Sequence, residues 1–349
     1  MIKPEMLKKG DRVAVVSLSS GIMGDPGFIH RYDIARERLA NEFGVELVPM
    51  PNALKGKDFI ENHPEARAKD LMDAFKDDSI NGIICAIGGN DTIRTLPYID
   101  FDVIHNNPKI FMGYSDTTVN HFMMNKAGVV SFYGPTIVTD FGEYVKMFDY
   151  TKNAVENILF DQPELYEIKP SDIWATDIVL WDEANKDKQM PVTKEEKGYE
   201  VLQGEGIIEG EVLGGCIDVF NMMYGTSIWP SKEEWKDKIL LIETSEDTPS
   251  PEILKQWLKE LGDQGIFDVV KGILVAKPYQ GEHYEEYKDV YKEVLKDYGK
   301  EDLPVLYNMN IGHCYPIGIM PLGTEIQVDL YNKKVHLLEI PTKEKVLKK

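Results

Sequence analysis

Between Val13 and Phe132 the chain repeats one pattern: a short apolar run, a turn of small or polar residues, then a stretch with helical periodicity. Val13–Leu18 leads through Ser19-Ser20-Gly21 to a helical pattern over about Phe28 to Phe43. Val45–Val48 precedes a helix expected from Pro64 to Phe75. Gly82–Ile87 ends in Gly88-Gly89-Asn90-Asp91, and Ile110–Tyr114 runs into a helix-like segment from Asp116 to Lys126, before Val129–Phe132. Strands alternating with helices build βαβ units and a mostly parallel sheet. Ligand sites of such sheets lie beyond the carboxyl ends of the strands. The turns Ser17–Gly21, Gly88–Asp91 and Tyr114–Asp116 are therefore expected along one edge.

At 349 residues the chain is longer than the roughly 250–300 at which single cores stop growing, so two domains are expected. The boundaries read as a first domain at 1–165, a linker or long inserted loop at 166–203, and a second domain at 204–349. From about Gln162 to Gln203 the chain is rich in Asp, Glu and Lys and lacks sustained periodicity, yet it carries Trp174 and Trp181. Two such aromatics either plug a domain interface or cover a ligand. The second domain reads as mixed α+β. Its expected strands are Ile207–Leu213, Ile239–Glu243, Gly272–Ala276 and Val305–Ile311, with a closing hairpin of Glu325–Leu330 and Val335–Ile340. Gly214-Gly215 is expected to open a helix to Met223, and Pro251–Leu261 and His283–Tyr298 read as further helices.

The formal charge of −20 disfavours nucleic acid and anionic membranes as partners, because both require a basic face. No stretch of about 18 apolar residues suggests a membrane span. Met1–Asp11 carries lysines but no signal-type apolar core follows, so a cytoplasmic location is expected. Three widely spaced cysteines, Cys85, Cys216 and Cys314, fit neither a disulfide framework nor a zinc knuckle.

In Gly113-Tyr114-Ser115-Asp116 an apolar run ends and a serine is held in front of a helix N-terminus. That is the layout of a nucleophile elbow, where free amide N–H groups favour developing negative charge. The same residues also read as a plain helix cap. A serine nucleophile needs a base, and the base an orienting acid. Of seven histidines, His313 alone follows an apolar strand into a constrained loop, Gly312-His313-Cys314-Tyr315-Pro316. His121 lies on the helix behind Ser115 and points away from the elbow. The acid candidate is Glu243, a carboxylate closing an apolar strand, which is costly to bury unless paired; Glu246 and Asp247 beside it also read as helix-entry acids. Gly88-Gly89 can bring a second backbone donor toward the serine, or else form a phosphate loop, although it fits neither the dinucleotide nor the Walker pattern. An ordinary α/β-hydrolase would carry glycine where this chain has Thr117.

Several stretches together resemble one family along nearly the whole chain. They are Ala86-Ile87-Gly88-Gly89 with Arg94 and Leu96-Pro97-Tyr98-Ile99-Asp100, Gly113-Tyr114-Ser115-Asp116-Thr117-Thr118, and Tyr133-Gly134-Pro135. Gly214-Gly215-Cys216, Glu243-Thr244-Ser245-Glu246-Asp247 and Gly312-His313 with Pro316 complete the set. The combination resembles the LD-carboxypeptidase family of serine peptidases, which includes the microcin-C immunity peptidases. The resemblance implies an α/β protein with an N-terminal parallel-sheet domain like that of class I glutamine amidotransferases and a C-terminal domain carrying the acid and the histidine. It implies Ser115 as nucleophile, Glu243 as acid, His313 as base, and the backbones of Gly89 and Asp116 as oxyanion donors. A cytoplasmic homodimer without metal or cofactor is implied as well.

Two branches of that family differ in substrate. Peptidoglycan-recycling members remove a terminal D-alanine from the muropeptide tetrapeptide. Immunity members cleave the bond joining a C-terminal aspartate to a nucleotide-like group and so confer antibiotic resistance. The Trp-bearing insertion and the Glu-Thr-Ser-Glu-Asp-x-Pro-Ser-Pro run are more similar to the second branch. By that likeness Trp181, then Trp174, would stack on a nucleobase, with Asn221 and Lys277 as further substrate contacts. Lys277 also reads as a structural ion-pair partner. A rival of another class is a non-catalytic module that captures a small ligand between its domains.

Overall fold

In the computed structural model, residues 1–161 and 165–344 are described. Strands β1 (Arg12–Val16), β2 (Glu46–Pro49), β3 (Gly82–Cys85), β4 (Ile110–Gly113) and β5 (Ser131–Tyr133) pair in parallel, in the order β5-β4-β3-β1-β2. Successive side chains of β1 divide between two cores: Val13 and Val15 pack with Ile84 and Met112, Ala14 and Val16 with Ile83 and Phe111. A strand covered on both faces has no polar side to present, and so it reads as an unbroken apolar run. The helix Ile29–Arg38 packs on the first face through Tyr32 and Ala35. The helices Pro64–Lys76 and Thr117–Ala127 pack on the second through Leu71, Phe75 and Met124.

The remaining strands are β6 (Tyr166–Ile168), β7 (Ile173–Trp174), β8 (Thr193–Lys194), β9 (Glu200–Gln203), β10 (Ile207–Cys216), β11 (Ile239–Glu243), β12 (Gly272–Ala276), β13 (Val305–Met309), β14 (Met320–Leu322), β15 (Glu325–Asp329) and β16 (Lys334–Leu337). Eight of them form a mixed sheet ordered β6-β16-β15-β10-β11-β12-β13-β9, whose β10–β13 centre is parallel. Helices Pro251–Asp263 and Tyr284–Asp297 cover that centre through Leu254, Leu258, Tyr291 and Val294.

Three features differ from the sequence reading. Gly214-Gly215 does not open a helix: both residues continue β10, opposite Leu241 and Ile242, and only Phe220–Met223 is α-helical before Tyr224. Cross-strand pairing with the buried β11 outweighs the helical pattern, and Cys216 N–H donates to Thr118 Oγ1, on the helix behind Ser115, at 2.9 Å. The 166–203 segment is not all loop. It supplies both edge strands of the larger sheet, β6 and β9, and the two-stranded β7–β8 ribbon. Short, half-exposed edge strands carry little alternation to read. Gln162, Pro163 and Glu164, at the expected start of that stretch, lie outside the described residues. Finally, β14 crosses back to pair antiparallel with β5, so the smaller sheet has six strands.

Candidate active site

The elbow is built by burial on one side and strain on the other. All of β4 is buried. Two residues beyond it Ser115 takes φ +66°, the left-handed region that non-glycine residues seldom occupy. Thr118 N–H donates to Ser115 C=O at 2.9 Å, and Ser115 N–H donates to the Tyr133 hydroxyl at 3.1 Å. The simple cap reading fails on the Asp116 side chain, which makes no cap bond to its own helix. Asp116 is fully buried, and its Oδ2 accepts from Ser19 Oγ at 2.6 Å and Thr92 N–H at 2.8 Å, tying together the turns after β1, β3 and β4. Ser20 N–H donates to Gly88 C=O at 3.1 Å, so these turns do share one edge. Gly88 lies flat against the serine. A Cβ there would sit 2.5 Å from Ser115 Cβ and 2.6 Å from its Oγ.

Glu243 closes β11 and is 1% exposed. Both of its oxygens are occupied. Oε1 accepts from Tyr133 Oη at 2.6 Å, and Oε2 lies 2.8 Å from His313 Nδ1 and also accepts from His313 N–H at 3.4 Å. The approach requires the preceding residue to be Gly312, at φ +75°, where a Cβ would lie 2.5 Å from the carboxylate carbon. Tyr133 is thus the hinge of the site: its hydroxyl joins the backbone of Ser115 to the carboxylate of Glu243. The sequence places it in the family-like Tyr133-Gly134-Pro135 stretch without marking it as a site residue. Its readable signal is a tyrosine ending the strand beside the serine's own.

His313 is edge-on to Tyr114 with ring centroids 5.0 Å apart. Its Nε2 lies 2.9 Å from Glu246 Oε2, so the ring bridges two carboxylates. Burial disfavours the charged ring, but Glu243 and Glu246 outweigh it and hold the His313 pKa well above the usual value. The hydrogen bond from His313 in turn draws the Glu246 pKa down to about 2. His121 is a core residue. Burial lowers its pKa to about 4, and it hydrogen-bonds Ser131 Oγ and Gly113 C=O, at 2.8 and 2.9 Å, beneath the elbow.

Two cavities meet at Ser115. One, of about 290 Å³, is lined by Ser115, His313, Tyr114, Tyr315, Trp181 and Tyr279 among others. The other, of about 770 Å³, runs from Ser115 past Asp91 and Asp218 to Trp257. Ser20, Gly89, Ser115 and Glu246 line both. Trp181 therefore faces the same space as Ser115 and His313; it packs edge-on to Phe28 and lies 5.0 Å from the Arg31 guanidinium. Trp174 lies elsewhere, with Lys277 Nζ 4.3 Å from its ring centre. Lys277 is buried and paired with Glu195, and it lines neither cavity. Asn221 is exposed on the Phe220–Met223 helix and lines neither.

Cys216, Glu243 and His313 bring potential ligand atoms within 4.8 Å of one another. The donor set does not suit a metal ion. Burial, with the charges of Glu243 and Asp218, raises the Cys216 pKa well above its usual value, so the thiol keeps its proton, and the Glu243 oxygens are already committed.

A serine on a strained strand-to-helix turn beside a buried carboxylate–histidine pair, in an α/β frame, has the layout of a serine hydrolase. Ser115 falls within a match to the LD-carboxypeptidase N-terminal domain (residues 13–134), and Glu243 and His313 within a match to the LD-carboxypeptidase C-terminal domain (residues 209–328); the chain belongs to this family of serine carboxypeptidases. It is similar to the Microcin C7 self-immunity protein MccF of Escherichia coli, at 30% identity over 78% of each chain. A structure of MccF with aspartyl sulfamoyl adenosine superimposes with a TM-score of 0.86, at 27% identity, over 98% of this chain and all of that one. A MccF-like protein from Streptococcus pneumoniae in complex with AMP gives a TM-score of 0.87 at 37% identity, covering 95% of this chain and 99% of that one. The probable murein peptide carboxypeptidase of Bacillus subtilis is 29% identical over 99% of this chain and 97% of its own. Trp181 lies in the stretch between the two domain matches. No helix among the described residues is long and apolar enough to cross a membrane.

Proposed function

We propose that this protein is a serine carboxypeptidase that cleaves an amide bond next to a C-terminal acidic residue, as in the disarming of microcin C or related aminoacyl-nucleotides. The observation that carries the reading is the continuous hydrogen-bonded path from Ser115 through Tyr133 and Glu243 to His313. Ser115 Oγ attacks the scissile carbonyl. His313 Nε2 takes its proton and later gives it to the leaving nitrogen, while Glu243 fixes the tautomer and stabilises the imidazolium. The backbone N–H groups of Gly89 and Asp116 receive the oxyanion. Water then resolves the acyl-enzyme. Trp181 stacks on the nucleobase; Trp174, Asn221 and Lys277 stand apart from the two cavities, which favours Trp181 among the four substrate contacts. The relatives seen with AMP and aspartyl sulfamoyl adenosine support a nucleotide-bearing substrate.

The full-length likeness to a murein peptide carboxypeptidase favours a second reading, removal of D-alanine from a muropeptide. Side-by-side assays on aspartyl sulfamoyl-adenosine and a tetrapeptide muropeptide decide between them. A serine-reactive probe separates both from a ligand-capturing module: it should label Ser115 in a His313-dependent way, and the absence of labelling would identify a binder. Chelator treatment should leave turnover unchanged. The reading includes a cytoplasmic homodimer, and a monomer by analytical ultracentrifugation at micromolar concentration would remove the dimer from it.

A further inference from the structure

The reading above needs Nε2 of His313 neutral and turned to Ser115, yet that atom is engaged elsewhere. It lies 2.9 Å from Glu246 Oε2. Glu246 stands on the loop after β11, outside the buried Ser115–Tyr133–Glu243 path, and its side chain is 59% exposed. It lines both cavities where they meet at Ser115, so a substrate laid across the serine passes this carboxylate. The pair has a buried ring on one side and a solvent-facing acid on the other.

We propose that Glu246 is a positioning residue that latches the general base: in the resting enzyme it holds the His313 ring at Nε2, and productive binding displaces it so that Nε2 can accept the Ser115 proton. The inference rests on His313 being that base. When the carboxylate withdraws, the imidazolium loses one of its two stabilising charges, and the Nε2 proton passes to solvent. The neutral ring then takes the proton of Ser115 Oγ as the O–C bond to the substrate forms. The groups facing the ring are Glu243 from β11, Glu246 from the following loop, Tyr114 from the turn after β4, and Cys216 and Asp218 from the end of β10 and beyond, with Tyr133 acting through Glu243. Of these, only Glu246 combines a charge, direct contact with Nε2 and exposure.

The sign of the effect is determined. A base whose pKa is raised is active only above that raised value. Glu246→Gln keeps the shape and removes the charge, so the His313 pKa should fall. The acidic limb of kcat/KM should move to lower pH by about one unit or more, the scale of an adjacent opposite charge. At pH below the wild-type limb the variant should be the faster enzyme. Glu246→Asp, which keeps the charge on a shorter arm, should restore part of the wild-type profile. The same pKa is read without turnover by following the His313 ring nitrogens by NMR in the full-length protein. A ring pKa unchanged by Glu246→Gln overturns the latch. A uniform loss of activity with an unmoved limb also overturns it, because that is the signature of a substrate contact alone. A ring pKa that falls while the rate profile stays fixed rejects His313 as the base, and so separates failure of the underlying mechanism from failure of the contact.

Discussion

Ser115 carries a conformational penalty that its own hydroxyl does nothing to offset. A non-glycine residue at φ +66° costs on the order of 1 kcal/mol or more, and the surrounding hydrogen bonds to Tyr133 and Thr118 hold it there. Ser115→Gly should therefore raise stability by about 1 kcal/mol in denaturant titration while abolishing turnover. Ser115→Ala should abolish turnover without that gain; its kcat should drop by roughly 10³-fold or more, leaving only binding and oxyanion stabilisation. A Ser115→Ala enzyme with near-normal turnover would sink the mechanism. Tyr133→Phe is the sharper probe of the support around the serine. It keeps the ring in the core but strips a partner from the Ser115 N–H and from the buried Glu243 carboxylate. Orphaning such groups costs about 1–3 kcal/mol each, so the midpoint of unfolding should fall as activity falls. Activity lost with no change in stability would show that the hydroxyl acts on substrate alone.

Elements that face two cores were legible in the sequence, and the short edge strands of the larger sheet were not. The strands around Val13, Ile83 and Phe111 read correctly because sheets covered on both faces demand unbroken apolar runs. The helix behind Ser115 read correctly from its boundaries alone. By contrast β6, β9 and the β7–β8 ribbon hide in a charged stretch, since an edge strand needs only its backbone to pair. Gly214-Gly215 was misread for a related reason: the determinants are long-range, in β11 and at Thr118, and no local pattern reports them. The proposed trio of Ser115, Glu243 and His313 could be picked out because each ends a buried strand or follows one. Tyr133 and Glu246 could not, because their meaning is a contact more than 60 residues away in the chain. The Trp-bearing segment shows the same limit. The family likeness ranks Trp181 ahead of Trp174, and of the two only Trp181 lines the cavity at the serine. Trp181→Ala should lower kcat/KM on aspartyl sulfamoyl-adenosine by about 10-fold or more, the loss of one stacked base, and leave muropeptide turnover within a factor of two or so. Equal losses on both substrates would assign the ring a packing role against Phe28 and Arg31 instead.

At the scale of the whole molecule, the two sheets are tied together across the expected boundaries at 165 and 204. Strand β14 leaves the second half of the chain to pair with β5 in the first sheet. The Cys216 N–H is capped by Thr118, and the Tyr133 hydroxyl is satisfied by Glu243. Each is a buried polar group in one half whose partner is in the other. Phe122 and Val119, on the helix behind Ser115, sit in the same core as Leu240 and Ile242 of β11. Cutting the chain at residue 165 would uncover that apolar face, open β5 as an unpaired edge and leave the Tyr133 hydroxyl without its acceptor. Fragment 1–165 should then fail to fold alone, with no protected amide core in hydrogen exchange and a tendency to aggregate through the bare strand. The full chain should unfold in one transition by fluorescence and circular dichroism together, because neither half keeps a satisfied core without the other. Two resolved transitions, or a fragment with native-like near-ultraviolet dichroism, would establish an autonomous first domain. Ser115 would then be positioned independently of Glu243 and His313, and substrate could close the halves on one another. A single transition means that Ser115, Glu243 and His313 are assembled by folding itself, leaving the exposed Glu246 carboxylate as the part of the site free to move when substrate arrives.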